Sequence, residues 1–152
     1  HLGTDEFSDE MTRLCELRGV RADHLYAEFV NRVTDHLRPK GVRPVIWSDM
    51  LLRDGLFPGE PANASPRCPT DASLSLFDRA VVIDYWCYSP SPFRGLELLR
   101  ERGFAAWATP WRHRDAVPLL CWKAYDLGAE AILGSTWGHP HRVANGIVLT
   151  AE

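Results

Sequence analysis

Four short stretches of this chain are apolar almost without interruption: "RPVIW" ending at Trp47, "AVVIDYW" at Trp86, "GFAAW" at Trp107 and "AEAILGSTW" at Trp137. Continuous apolar runs of this length, in place of strict alternation, predict parallel strands covered on both faces. Between them the period lengthens. Leu25, Phe29, Val33 and Leu37 recur every four residues and predict a helical face. The stretch "SPFRGLELLRERG" opens on Ser and Pro and closes on Gly, ordinary start and stop signals of a helix. A third helix is predicted from about Val117 to Leu127, and a short one from about Asp71 to Phe77.

Strand alternating with helix predicts a parallel α/β sheet, and the opening "HLGTDEF" reads as the tail of one further strand. The result is about five strand ends and four crossovers, too few for a closed (β/α)8 barrel, which takes about 250 residues. The expected fold is therefore a partial barrel of TIM type, with residues 1–152 as its C-terminal half. Such a half is expected to expose two sheet edges and to be inactive by itself. The Pro- and Gly-rich "LLRDGLFPGEPANASPRCPTD" predicts a long loop after the Trp47 strand, on the side of a barrel where loops border the active site.

Composition narrows the partners. With 45% hydrophobic and 24% charged residues the chain has the profile of a folded domain. A net charge of −3, a pI near 6.1 and scattered Lys and Arg leave no basic face for nucleic acid. No apolar run reaches the roughly 20 residues of a membrane-spanning helix. Cys15, Cys68, Cys87 and Cys121 lack CxxC spacing and the density of a disulfide framework. Reduced, packed thiols are expected, which favours a cytoplasmic over a secreted setting; any leader would lie upstream of the opening motif. Oligomeric state stays open.

In a barrel the carboxyl ends of the strands converge on one mouth. Asp5, Glu6, Trp47, Asp49, Tyr85, Trp86, Tyr88, Trp107 and Trp137 are then expected on a single rim. Indoles with a few carboxylates suit a sugar, whose C–H face stacks on aromatic rings while its hydroxyls need fixed acceptors. Adjacent strand residues point to opposite sides, so Asp5 and Glu6 cannot form the pair about 5 Å apart that retaining glycosidases place across a sugar. Substrate-assisted hydrolysis divides the work differently: the substrate's 2-acetamido oxygen is the nucleophile, one carboxyl protonates the leaving oxygen and the other orients the acetamide. That route needs no metal or cofactor. His1 is expected to brace the carboxylate pair; the competing reading makes it a metal ligand with Asp5 or Glu6, joined by His139 and His141. Asp49 either touches substrate or accepts a hydrogen bond from a neighbouring loop.

These residues carry a resemblance. "HLGTDE" resembles the H-x-G-x-D-E signature of glycoside hydrolase family 20, the β-N-acetylhexosaminidases. "VIWSDMLL", "VVIDYWCY", "FAAWATPW" and "ILGSTWG" resemble, in order and spacing, the remaining strand ends of a bacterial branch of that family. The resemblance implies that Glu6 is the general acid/base and Asp5 the acetamide-orienting residue. It implies that Trp47, Trp86, Trp107 and Trp137 form the sugar and acetamide pocket. A tyrosine of "DYWCY", Tyr85 or with preference Tyr88, would donate to the acetamide carbonyl. The implied activity is removal of a terminal β-linked N-acetylhexosamine (GlcNAc or GalNAc) from a glycan or glycoconjugate with retention of configuration. The chain departs from the pattern at three places: Gly138-His139-Pro140-His141 follows Trp137 where an acidic residue is common, Cys87 follows Trp86 where Asp is expected, and Thr4 replaces Gly or Met. Two alternatives remain: a carbohydrate-binding remnant without catalysis, and a glycosidase for a sugar lacking the acetamide, with Asp49 or Asp84 as nucleophile.

Overall fold

The computed structural model describes residues 1–136; Trp137, His139 and His141 lie outside the described residues. Among the described residues four parallel strands, β1 (Val45–Trp47), β2 (Val82–Trp86), β3 (Ala105–Thr109) and β4 (Ala131–Ile132), pair in the order β1-β2-β3-β4. The sheet grows in one direction with no reversal of strand order. The opening segment runs along the outer side of β1: the Leu2 amide donates to the Val45 carbonyl (2.8 Å) and the Trp47 amide to the Gly3 carbonyl (3.1 Å). The expected extra strand does not form; the segment contributes only these two hydrogen bonds beside β1.

Among the described residues four α-helices accompany the sheet: α1 (Ser8–Arg18), α2 (Ala22–Leu37), α3 (Arg94–Glu101) and α4 (Ala116–Asp126). Helices α3 and α4 fall where start and stop signals and apolar spacing put them. The short helix expected near Asp71–Phe77 is a 3-10 turn, Thr70–Ser75. Helix α1 was not anticipated from the pattern: it buries only Met11, so its apolar signal is faint, and it ends at Gly19 in the left-handed conformation (φ 64°). No helix among the described residues is long and apolar enough to cross a membrane. All four cysteines are free thiols, with Cys68 and Cys87 buried.

Side chains alternate along each strand, and register partners in a parallel sheet share a face. Ile46, Ile83, Tyr85, Ala106 and Ala108 belong to the core, together with Leu96 and Leu99 of α3 and Leu120 of α4. The opposite face carries Trp47, Asp84 and Trp107 in one register row, followed by Trp86 paired with Thr109. The expectation of strands covered on both faces holds for β1 and β2, whose residues are buried on either side. One face is helix-packed core, and the other adds Trp47, Asp84 and Trp86 to the buried Val45 and Val82. Alternation also sends Tyr85 to the helix side, away from Trp86.

Helix α2 buries Ala22, Tyr26, Ala27, Val30 and Thr34. The predicted series Leu25, Phe29, Val33 runs beside that stripe and lines an open apolar cleft of about 800 Å³ with Phe7, Met11 and Leu14. A four-residue period fits two adjacent stripes of this helix, and Tyr26 and Val30 mark the one that meets the core.

Candidate functional site

The opening segment is not extended. Gly3, Thr4 and Glu6 have φ of 74°, 71° and 51°. The left-handed region suits Gly but is a strained conformation for Glu and more so for β-branched Thr. Part of the compensation is visible: the buried Tyr26 hydroxyl donates to Thr4 Oγ1 at 3.0 Å. Strand alternation does not apply to this segment, and Asp5 and Glu6 line the same cavity. That cavity, about 240 Å³, is otherwise lined by Trp47, Trp86, Tyr88 and Trp111. Trp86 and Tyr88 lie ring to ring at 4.9 Å, and Tyr88 meets Trp111 edge-on at 5.3 Å. The Trp111 indole nitrogen is buried without an acceptor among the described residues.

Asp49 follows β1 in a 3-10 turn and has no exposed surface. Its Oδ2 accepts from the Glu6 backbone amide (3.0 Å) and from Asn63 Nδ2 (2.7 Å), while Trp86 Nε1 points at Oδ1 from 3.4 Å. Burial pushes this carboxyl above its ordinary value, and the hydrogen bonds from Asn63, Glu6 and Trp86 offset part of the rise. Of the two readings of Asp49, the geometry matches the acceptor: it supports the cavity wall from behind and does not line it.

Asp84, mid-β2, is also fully buried. Thr109 Oγ1 donates to its Oδ1 (2.6 Å), and burial raises its pKa to about 6. His1 Nε2 lies 3.4 Å from Asp84 Oδ2, at ion-pair distance but without hydrogen-bond alignment. His1 Nδ1 accepts from the Gly3 amide (3.0 Å), so the neutral ring carries its proton on Nε2, facing Asp84. The ring also packs on Trp47 with centroids 4.4 Å apart. His1 therefore braces Asp84 and Trp47, not the Asp5–Glu6 pair expected from sequence. No group of three His, Cys, Asp or Glu able to hold a metal ion occurs among the described residues.

The remaining aromatic candidates separate. Trp107 shares the sheet face of Trp47 and Asp84 but stands mid-strand, because β3 continues two residues to Thr109, and it does not line the cavity. Tyr85 is buried on the helix side, where its hydroxyl donates to Glu60 Oε2 at 2.7 Å. Trp137 lies outside the described residues. Sequence reasoning missed Trp111, which stands just past β3 after Pro110, with the Arg112 guanidinium 4.0 Å above its ring. It also missed Asn63 and Glu60, both in the long loop; the loop was recognised but its polar residues carried no motif. His113 is exposed, and its Nδ1 accepts from the Asp115 and Ala116 amides at the start of α4 (3.3 Å each).

No family model matches the chain, and no curated protein matches it either. The chemistry must be argued from the cavity itself. It offers two neighbouring acidic residues, three indoles and a phenol, in a volume that suits a single small ring. Such a set can stack an apolar ring face, accept from hydroxyl or amide donors and exchange a proton with a bound oxygen.

Proposed function

We propose that this chain is the C-terminal half of a (β/α)8 catalytic barrel of the glycoside hydrolase family 20 type, and that its cavity receives the terminal β-linked N-acetylhexosamine of a glycan. The observation that carries the reading is that the neighbouring Asp5 and Glu6 both line a cavity faced by Trp47, Trp86, Tyr88 and Trp111. Carboxylates on adjacent residues of one segment are not spaced to flank an anomeric carbon from opposite faces, which the nucleophile–acid pair of an ordinary retaining glycosidase must do. The substrate's own acetamide then supplies the nucleophile. The unreversed parallel order, with helices packed on one sheet face and this cavity at the other, is what a barrel wall requires.

In this mechanism Glu6 protonates the glycosidic oxygen as the acetamide carbonyl oxygen attacks the anomeric carbon. Asp5 accepts from the acetamide N–H and so makes the carbonyl oxygen a better nucleophile. The alcohol leaves, and Glu6, now ionised, takes a proton from water as water opens the oxazoline-type intermediate with net retention. Tyr88, which lines the cavity, supplies a hydroxyl for the acetamide or ring hydroxyls. The version without an acetamide would need Asp49 or Asp84 as nucleophile. Both are fully buried; the Asp49 oxygens meet Glu6 N, Asn63 and Trp86, Asp84 Oδ1 meets Thr109, and Asp84 Oδ2 faces His1. The experiment is Glu6→Gln in the complete protein with a chromogenic N-acetyl-β-glucosaminide. Turnover should fall by at least ~10³-fold while binding of N-acetylhexosamine persists. Near-normal turnover in the variant sinks the assignment, and sugar binding without hydrolysis by the wild type would favour a carbohydrate-binding module.

A further inference from the structure

Glu6 sits in a backbone conformation that its neighbours must impose, since a non-glycine residue at φ 51° relaxes unless it is held. The holding contacts form a closed ring. The Glu6 amide donates to Asp49 Oδ2 (3.0 Å); Asn63 Nδ2 donates to the same oxygen (2.7 Å); and Ser8 Oγ, two residues after Glu6, donates to the Asn63 carbonyl (2.7 Å). Asn63 is fixed on a further side as well, its own amide donating to the Asp49 carbonyl at 2.8 Å. The fourth contact of Asp49 reaches the Trp86 indole, on the cavity wall. One buried carboxylate therefore joins the acid-bearing segment, the long loop and an aromatic wall of the cavity.

We infer that Asp49 and Asn63 are positioning residues that set where the Glu6 carboxyl stands, so that the long loop after β1 controls the efficiency of proton donation to the leaving group. The inference rests on the hydrolase reading above. Neither side chain lines the cavity, and so neither touches the sugar. Asn63→Ala removes one side of the ring while leaving the Asn63 backbone contacts in place, which makes it a mild perturbation of folding.

A misplaced acid has a signature that a merely weakened fold lacks. Substrates whose leaving group is a poor one depend on protonation; those with a dinitrophenyl leaving group barely do. In the complete protein, Asn63→Ala should lower kcat/KM on alkyl or disaccharide N-acetyl-β-hexosaminides by ~10–100-fold, and on the dinitrophenyl glycoside by less than ~3-fold. Amide exchange at Glu6 should accelerate ~10-fold or more in the same variant, while Ile83 in β2 is unchanged. Equal losses on both substrates, or no change in Glu6 exchange, overturn the positioning role. If the wild type cleaves no acetamido glycoside, the hydrolase reading falls and takes the catalytic half of this inference with it, whatever the exchange shows. If the wild type is active and Asn63→Ala changes neither readout, the positioning role alone falls.

Discussion

Glu60 anchors the loop that carries Asn63, and its removal should be costly. Its carboxylate accepts from the Tyr85 hydroxyl (2.7 Å), from the Arg94 amide (2.7 Å) and from the Gly95 amide (2.7 Å). It thus fills the N-terminus of α3, which has no side-chain cap of its own, and satisfies a phenol with no exposed surface. A hydrogen bond to a charged group contributes about 1.5–3 kcal/mol, but the Arg94 bond is exposed and counts for little. What remains is the Gly95 bond and the Tyr85 hydroxyl, which without an acceptor costs about 1–3 kcal/mol. Glu60→Ala should therefore destabilise the protein by ~3 kcal/mol, read as the change in urea unfolding free energy by circular dichroism. Tyr85→Phe leaves no orphaned donor and should cost only ~1 kcal/mol. The double variant should be no less stable than Glu60→Ala, a coupling of ~1–2 kcal/mol between the two sites. A loss under ~0.5 kcal/mol for Glu60→Ala, or strict additivity in the cycle, refutes this account of the loop anchor.

Two other perturbations follow from the same packing and from Asp84. A Cβ on Gly95 would come within 2.7 Å of Tyr85 Cε2 and 2.8 Å of Leu52 Cδ1, so Gly95→Ala should destabilise by ~1–3 kcal/mol in urea unfolding despite the better helix propensity of Ala; unchanged or raised stability contradicts the close fit. Asp84 titrates near 6 when folded and near the ordinary aspartate value of 3.8 when unfolded, so its contribution is fully present below the unfolded value and is lost as pH rises through the folded one. The Asp84→Asn variant should gain on the wild type by up to ~3 kcal/mol between pH 4 and pH 7, and a difference that is flat with pH over that window contradicts the burial of an ionisable Asp84.

How far the sequence carries is decided by the range of the interactions. Strands β1 to β3 and helices α3 and α4 were legible because local apolar runs and punctuation define them. Trp47 and Trp86 were legible as strand ends for the same reason. Trp107 was misread because nothing local shows that β3 runs on to Thr109, and Tyr85 was left undecided against Tyr88 because the pattern does not say where β2 stops. The opening segment that brings Asp5 and Glu6 to one cavity turns on positive φ at Thr4 and Glu6, residue types that do not advertise it. The partners of Asp49 come from 43, 14 and 37 residues away along the chain. The N-terminus of α3 is filled by a carboxylate 34 residues upstream of Arg94, where the sequence offered Ser91 as the start signal. No propensity encodes contacts of that separation; they follow from the sheet order.

The central claim is that the substrate's acetamide, held by Asp5 while Glu6 serves as the acid, does the work of a nucleophile that the cavity wall lacks. It is tested most directly by giving the complete wild-type protein two β-glycosides with the same nitrophenyl leaving group, one bearing a 2-acetamido group and the other a 2-hydroxyl. The account predicts steady turnover of the first and essentially none of the second, a ratio of at least ~10³ in kcat/KM. Comparable rates on the two would contradict it, since hydrolysis would then proceed without the acetamide.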